Sequence, residues 1–174
     1  MALAASLAIE QTCNLFPQIK WVNDLYLNGR KVCGVLCESF GTPCGMAIAI
    51  GIGINLTTRD FPVTLDGIAG SLQAAVDPEV LARAICKNLF PYLQSGDSTL
   101  WLEGYRARFM LRGVPINCIT PDATFPAIAQ DVTAQGALTV TTEDGRSHIL
   151  YAGEVSISAT DPCSPYFKPN FGGI

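Results

Sequence analysis

The clearest pattern of hydrophobic and polar positions lies in residues 46–56, where large apolar side chains alternate with small ones. The large residues share one parity: Met46, Ile48, Ile50, Ile52, Ile54 and Leu56. The small or polar ones share the other: Ala47, Ala49, Gly51, Gly53 and Asn55. Because successive side chains of a strand point to opposite faces, this pattern predicts a strand with one bulky face that packs a core. The other face is nearly bare, so a helix or a ligand can approach its backbone closely.

Three shorter apolar runs precede this strand, over residues 19–21, 25–27 and 30–40. Asn28-Gly29 stands between the second and third runs and predicts a type I′ hairpin turn, which needs positive φ at both central residues. The sequence therefore predicts a sheet that contains at least one tight hairpin.

Helices are expected on both sides of these strands in the chain. Residues 2–14 are rich in alanine and predict a largely buried helix that ends before Pro17. Asp77-Pro78 resembles an N-cap with a first-turn proline and predicts a helix over residues 78–90, which Pro91 ends or kinks. A third helix is expected from a cap at Asp97 or Ser98 to about Leu111.

After Gly113 the pattern changes to short strand-like runs separated by turn residues. The runs cover residues 114–120, 124–130, 138–142, 148–151 and 154–158. Five short strands predict a small β-barrel of SH3 size. Pro126 cannot donate to a strand ladder, so its strand is expected at an edge of that barrel.

The expected fold class is therefore α/β (α+β), with a mixed sheet packed by helices and followed by the small barrel. The mixed domain is expected over residues 1–112, the barrel over 113–158 and an irregular tail over 159–174.

The composition of the chain limits the kinds of partner that it is expected to bind. Hydrophobic residues make up 49% of the chain, and 11 basic residues stand against 15 acidic ones without a basic cluster. We therefore expect no nucleic acid partner. No apolar run is long enough to span a bilayer, and the apolar start lacks the basic flank of a signal peptide, so no membrane association is expected.

The chain has seven cysteines and a single histidine, His148. The spacing of Cys33, Cys37 and Cys44 fits no common zinc motif, so no bound metal is predicted. Reduced, mostly buried thiols in a cytoplasmic protein are expected instead.

Three segments resemble the biotin protein ligase family in order and spacing. They are Lys20-Trp21-Val22-Asn23-Asp24-Leu25, Arg30-Lys31-Val32-Cys33-Gly34-Val35-Leu36-Cys37-Glu38 and Ile50-Gly51-Ile52-Gly53-Ile54-Asn55. Weaker similarity continues through Ile68-Ala69-Gly70-Ser71-Leu72 and Ala152-Gly153-Glu154-Val155-Ser156. A single short motif would mean little, whereas all of them together make coincidence a poor explanation.

The resemblance implies an enzyme that makes biotinyl-5′-adenylate from biotin and ATP, with Mg²⁺ accompanying ATP, and then transfers biotin to a lysine of a biotin carboxyl carrier domain. Lys31 is implied as the catalytic ammonium, because a fixed cation lowers the repulsion between the attacking carboxylate and the α-phosphate. Without the resemblance, Lys31 would be read as an ordinary exposed strand lysine.

The remaining candidate residues are implied to contact biotin or the adenylate: Lys20, Asn23, Asp24, Gly34, Leu36, Gly51, Gly53 and Asn55. Each has a plainer reading as well. Asn23 and Asp24 suit a turn that closes on its own backbone, and Gly51 and Gly53 suit close packing of a helix. Lys31 and Gly34 differ in parity, so a β-bulge, or contact through the Gly34 backbone, is required if both face the ligand.

The chain also departs from the family pattern. A Ser-Thr-Asn stretch and a Gly-Arg-rich loop, both part of the family's adenylating site, precede the helix with which this sequence begins. The chain is therefore expected to be a fragment of the ligase, inactive alone, with exposed apolar faces that favour aggregation.

Two other functions stay open at this point. One is a non-catalytic ligand-binding or assembly protein derived from the same fold. The other is a lipoate protein ligase, which Trp21 and the Gly-Ile-Gly-Ile-Asn strand disfavour. The oligomeric state is also open, although members of the family pair through their sheets.

Overall fold

A computed structural model describes residues 1–95, 97 and 99–157. These residues form two compact units, one running from Met1 to Asp97 and the other comprising the described residues that follow. The predicted tail over residues 159–174, together with Cys163, lies outside the described residues.

The first unit combines two helices with a four-stranded sheet. Its elements are α1 (Ala2–Cys13), β1 (Gln18–Lys20), β2 (Asp24–Leu27), β3 (Arg30–Thr42), β4 (Gly45–Ile54), a 3₁₀ turn (Val63–Leu65) and α2 (Pro78–Gln94). The strands lie in the order β1-β2-β3-β4, and each neighbouring pair is antiparallel. One isolated parallel bridge joins Lys31 to Ala69 at the side of β3.

The predicted hairpin between β2 and β3 is confirmed. Asn28 and Gly29 have φ values of 51° and 75°, so both central residues occupy the left-handed region that a type I′ turn requires. The turn sets the pairing of Leu27 with Arg30.

A β-bulge follows two residues later and resolves the parity conflict noted in the sequence. Tyr26 pairs with Lys31, but its neighbour Leu25 pairs with Cys33, so Val32 is an extra residue on β3. Val32 is buried, as is Cys33. The bulge thus places Lys31 and Gly34 on the same face of the sheet.

Helix α1 covers the other face, which forms the core of this unit. Ile19 pairs with Leu25 and Leu25 with Cys33 across the sheet, and all three side chains are buried. The buried Ser6 hydroxyl donates to the Pro17 carbonyl at 2.8 Å, which ties the helix to the segment that enters β1. The helix ends at Asn14, whose left-handed conformation (φ 53°) closes its last turn.

Helix α2 packs against α1 and begins as expected. The Asp77 side chain accepts a hydrogen bond from the Glu79 backbone N–H at 2.8 Å, with Pro78 in the first turn. Of the two effects expected of Pro91, an end of the helix is wrong, because the helix continues to Gln94 with Pro91 inside it. A kink at Pro91 stays a prediction.

The bulky face of β4 packs a core only in part, which corrects the sequence-based expectation. Met46 is 73% exposed and Ile48 is 66% exposed. Only the later part of β4 approaches α2, where Ile52, Ile54 and Leu81 line an apolar cavity of about 450 Å³. The hairpin of β3 and β4 therefore extends past the elements that bury its base.

The second unit contains α3 (Leu102–Arg108) and the strands β5 (Pro115–Ile119), β6 (Thr124–Val132), β7 (Leu138–Thr141), β8 (Ser147–Leu150) and β9 (Glu154–Ile157). The strands form one antiparallel sheet in the order β8-β7-β6-β5-β9. Side chains of alternate residues from all five strands, among them Ile116, Ala129, Leu138 and Val155, are buried and form its core. The five predicted strands are thus confirmed.

Two expectations for this unit are wrong. Strand β6 is central and not an edge. Pro126 is tolerated there because it precedes the part of β6 that pairs with β7, which starts at Ile128. The third helix is also shorter than expected, covering Leu102–Arg108 instead of running from residue 97 or 98 to about Leu111.

An ion-pair cluster joins α3 to β6. The Arg106 and Arg112 guanidinium groups lie 3.0 and 2.8 Å from the Asp131 carboxylate, and Arg106 also donates to the Val132 carbonyl at 2.8 Å. These contacts place α3 within the second unit, so the compact units divide about fifteen residues before the domain boundary that the sequence suggested.

Candidate functional site

The candidate site residues lie mainly on the face of the first sheet that points away from α1, which we call the open face. Directly paired residues of antiparallel strands share a face, and the pairs Lys20–Asp24, Tyr26–Lys31, Gly34–Gly53 and Leu36–Gly51 all lie here. Three separate sequence motifs are thereby brought onto one surface.

Lys31 and Asp24 form an ion pair at the centre of the open face. The distance between Lys31 Nζ and Asp24 Oδ1 is 2.7 Å, and the side chains are 41% and 29% exposed. A pair that is partly exposed gains little folding energy but fixes the position of both groups. The ammonium is therefore directed over the open face and stays accessible to a ligand.

The backbone of Lys31 is fixed as well. Its N–H donates to the Ile68 carbonyl at 2.8 Å, and its carbonyl accepts from the Gly70 N–H at 2.9 Å. The segment around Ala69 thus runs beside the start of β3 as a short parallel bridge. These bonds fix the backbone from which the Lys31 side chain extends.

Gly34 leaves space beside the ion pair. A Cβ atom built on Gly34 would lie 3.4 Å from Lys31 Cε, 3.5 Å from Lys31 Nζ and 3.6 Å from Asp24 Oδ1. Those are ordinary contact distances, so a side chain at this position would cover the ammonium without a backbone clash.

Gly51 and Gly53 face open space. A Cβ on either residue would meet no described atom within 4 Å. Close packing of a helix, the plainer reading of these glycines, therefore finds no support among the described residues. The two glycines keep the open face flat next to Gly34 and Leu36.

Asn55 is engaged with the polypeptide. Its side-chain amide donates to the Gly70 carbonyl at 2.9 Å, and its backbone bonds both Val32 and Leu72. Asn55 thus holds the segment after Ala69 against the sheet, in addition to any contact it makes with a ligand.

Lys20 lies on the open face beside Tyr26. Its Nζ is 5.8 Å from the Tyr26 ring centroid, within the range of a cation–π contact. Tyr26 was not a candidate from the sequence motifs, although its parity matches that of Asp24 and places it on the same face. Asn23 lies in the turn between β1 and β2, and Leu36 is exposed on β3.

Cys33 lies directly behind this site, on the buried face. Burial, followed by the charge of Asp24, raises the pKa of its thiol to about 12, although Lys31 acts in the opposite direction. The thiol is therefore neutral at physiological pH and unsuited to nucleophilic chemistry. The six described cysteines are all free, but only Cys33 and Cys118 among them are buried, so the expectation of mostly buried thiols is wrong.

The described residues contain no group of three or more His, Cys, Asp or Glu side chains placed to hold a metal ion. His148 lies in the second unit, where its ring is 5.6 Å from that of Phe125. Within the described part of the chain, no helix has the length and apolar character needed to cross a membrane.

Two family models match this sequence. The biotin/lipoate A/B protein ligase family matches residues 3–55, and the biotin protein ligase C-terminal domain matches residues 113–158. The first range contains the open-face residues, and the second contains all the strands of the second unit.

Curated relatives agree with these matches. The chain is 36% identical over 155 residues to a biotin–[acetyl-CoA-carboxylase] ligase from Paracoccus denitrificans, covering 79% of this chain and 61% of that protein. It is 27% identical over 169 residues to the bifunctional ligase/repressor BirA of Bacillus subtilis, covering 90% of this chain and 51% of that protein. The chain thus spans about half to three fifths of these relatives.

Solved structures agree on the fold. The apo biotin protein ligase from Aquifex aeolicus matches with a TM-score of 0.79 and 20% identity, covering 90% of this chain and 72% of that one. The same ligase in complex with biotin and ATP matches with a TM-score of 0.72 and 23% identity, covering 90% and 68%. Both family matches, the curated relatives and the fold lead to one conclusion: the chain belongs to the biotin protein ligase family.

Proposed function

We propose that this chain carries part of the active site of a biotin protein ligase. In the reaction, a carboxylate oxygen of biotin attacks the α-phosphorus of ATP, a new P–O bond forms and pyrophosphate leaves. The amine of a lysine on a biotin carboxyl carrier domain then attacks the acyl carbon, AMP leaves and the amine loses a proton. The observation that carries the proposal is the Lys31–Asp24 pair on a glycine-lined face.

Lys31 is the group that makes the first step electrostatically feasible. Two anions must meet when a carboxylate approaches the α-phosphate, and a fixed ammonium stabilises the charge that develops between them. Asp24, 2.7 Å away, holds the ammonium in place before the substrates arrive.

The glycines of the open face provide the surface on which the substrates lie. Gly34, Gly51 and Gly53 allow biotin and the adenylate to approach the backbone, with Leu36 beside them. Lys20, Asn23 and Asn55 are the polar groups at its margin. Mg²⁺ is expected to arrive bound to the phosphates of ATP, because this ion is usually held through substrate phosphates and only one or two carboxylates.

We further propose that activity requires another polypeptide segment. The apolar residues exposed on both faces of the β3–β4 hairpin support this, since Met46 and Ile48 lie on one face and Leu36 and Phe40 on the other. A second copy of the chain, paired through the edge strand β4, would cover the same region and would give a homodimer. The free thiols support a cytoplasmic location.

The test is biotin-dependent exchange of pyrophosphate into ATP. The chain is assayed alone and together with a polypeptide that carries the Ser-Thr-Asn and Gly-Arg-rich segments of the family. Exchange in the mixture, lost when Lys31 is replaced by alanine, supports the ligase and the need for a second segment. Lipoate-dependent exchange in place of the biotin reaction would transfer the proposal to lipoate ligation.

Absence of exchange in both samples, with folding verified by circular dichroism, would overturn the ligase proposal. The chain would then be a binding or assembly protein built on the same fold, and Lys31 would be a strand lysine without a catalytic role.

A further inference from the structure

A second cavity lies in the first unit, at the end of the sheet near the hairpin turn. Its volume is about 600 Å³, which is within the range of small-molecule sites. The apolar part of its wall is formed by Leu15, Leu27, Phe61 and Leu72. A cavity with this lining accepts a ligand that has an apolar part.

Two arginines, Arg30 and Arg59, line the same cavity, and none of the residues lining it is acidic. No ion pair is recorded for either guanidinium group among the described residues. Two arginines in a lining without acidic residues favour an anion, and the planar guanidinium matches phosphate and carboxylate groups better than an ammonium does.

The segment at Gly70 and Ser71 forms another part of the wall. It packs closely against Arg30 and contains one buried hydroxyl group without a hydrogen-bond partner among the described residues. A Cβ on Gly70 would lie only 2.8 Å from Arg30 Cβ, so glycine allows this segment to pack against the arginine stem. The Ser71 hydroxyl beside it is buried without a hydrogen-bond partner in the described part of the chain. A buried hydroxyl without a partner costs free energy, which a ligand oxygen would recover after a small shift of the wall.

The cavity is separate from the site on the open face. Leu27 and Arg30 pair at the end of the hairpin and have the parity of the buried Leu25, so they belong to the face covered by α1. Leu15, which follows α1, confirms that side of the sheet. Arg30 and Lys31 are therefore adjacent cations that serve opposite faces.

We propose that this cavity binds a small organic phosphate, with the phosphate at Arg30 and Arg59 and the apolar part against Phe61 and Leu72. The charge of the wall selects the phosphate, and the volume leaves room for a ring. The inference does not depend on the proposed ligase reaction, because neither arginine lies on the open face.

Phenyl phosphate is a suitable probe, titrated into the full chain by calorimetry or by NMR. We expect saturable binding that weakens at least about tenfold in Arg30→Gln and in Arg59→Gln, since each removes a charge-assisted contact. Phenol and inorganic phosphate, which each carry half of the probe, are expected to bind more weakly than phenyl phosphate.

The matched controls are Lys87→Ala and Arg83→Gln, which each remove an exposed cation of α2. Both are expected to bind phenyl phosphate like the unaltered chain. Absence of saturable binding, equal binding by the Arg59→Gln variant, or loss of binding in either control would overturn the proposal. Arg59 follows β4 in an exposed loop, so its variant decides the matter if Arg30→Gln does not fold.

Discussion

The ammonium of Lys31 lies 2.7 Å from the carboxylate of Asp24, although the two residues come from different sequence motifs. The sequence presented Lys31 as a candidate catalytic group and Asp24 as a candidate contact for the substrate. The structure places them side by side on the open face, so that each determines where the other points.

Replacement of Lys31 by alanine is expected to lower biotin-dependent pyrophosphate exchange about 100-fold or more, because a preorganised charge at the transition state is lost. The assay uses the chain together with the segment that supports activity. Lys87→Ala, the same substitution at an exposed position of α2, is the control and should leave the rate unchanged. Equal rates for the two variants would contradict the role assigned to Lys31.

The Asp24→Asn variant distinguishes the positioning of the Lys31 ammonium from a contribution of the ion pair to folding stability. The ion pair is partly exposed, so its loss should change the free energy of unfolding by less than about 1 kcal/mol. The exchange rate should fall by about tenfold or more, because the Lys31 ammonium loses its fixed position. Urea titration and the exchange assay together test this, and a large loss of stability with an unchanged rate would argue against it.

For the glycines of the open face, we predict that substitution by alanine has opposite effects on stability and on ligand binding. Gly51→Ala and Gly53→Ala should keep or raise stability, by up to about 1 kcal/mol, because the new Cβ meets open space and glycine is unfavourable within a strand. Binding of a non-hydrolysable biotinyl-adenylate analogue should nevertheless weaken.

Gly41→Ala is the matched control for those two variants. Gly41 also lies in the β3–β4 hairpin with no described atom near its would-be Cβ, but it is seven residues beyond Gly34. It should share the stability effect and leave binding of the analogue unchanged. A fall in stability for Gly51→Ala or Gly53→Ala would mean that packing, not ligand access, requires these glycines.

Stability is expected to fall at alkaline pH. The folded Cys33 thiol has a pKa raised to about 12 from 9.0, so the native state holds this proton more tightly than the unfolded chain does. The stabilisation is complete below pH 9 and is lost as the pH rises from about 9 towards 12, by roughly 1 kcal/mol per unit. Urea midpoints at pH 8 and pH 10 measure the loss.

In Cys33→Ala, the difference between those two midpoints should shrink. Tyr105 and Cys118, whose pKa values burial also raises, remain in this variant and account for what is left. An identical pH dependence in both proteins would show that Cys33 does not contribute.

The exposed end of the β3–β4 hairpin predicts self-association of the isolated chain. Met46 and Ile48 are largely exposed, and β4 is an edge strand. Met46→Lys with Ile48→Lys should lower the apparent mass in sedimentation velocity and leave the circular dichroism spectrum unchanged. A monomeric unaltered chain would contradict the expectation.

The strands and the hairpin turn could be predicted from the sequence because alternation and turn chemistry are local properties. Asn28-Gly29 and the five strands of the second unit follow this rule. Burial of the bulky β4 face could not be predicted, since it depends on which elements reach that end of the strand. The edge position expected for Pro126 was wrong for the same reason, because it depends on where the pairing of β6 with β7 begins.

The candidate site was predictable in its residues but not in its contacts. Sequence motifs identified Lys31, Asp24 and Gly34 as candidates. The ion pair depends on the register of β2 against β3, and the bond from Asn55 to Gly70 depends on the path of a loop, and no local pattern specifies either of these. Tyr26 was not among the candidates because the first motif ends at Leu25, one residue before it.

Val32, the extra residue at the bulge, resets the phase of side-chain alternation within β3. A regular strand allows only residues an even number of positions apart to act on one surface, whereas here a cation and a glycine three positions apart do so. Removal of this one residue would leave the cation and the glycine two positions apart, where the alternation of a regular strand also places them on one surface. Straightening the bulge while Val32 stays in the chain would instead turn them to opposite sides of the sheet, so the shared surface depends on the bulge and not on the composition of the motif alone.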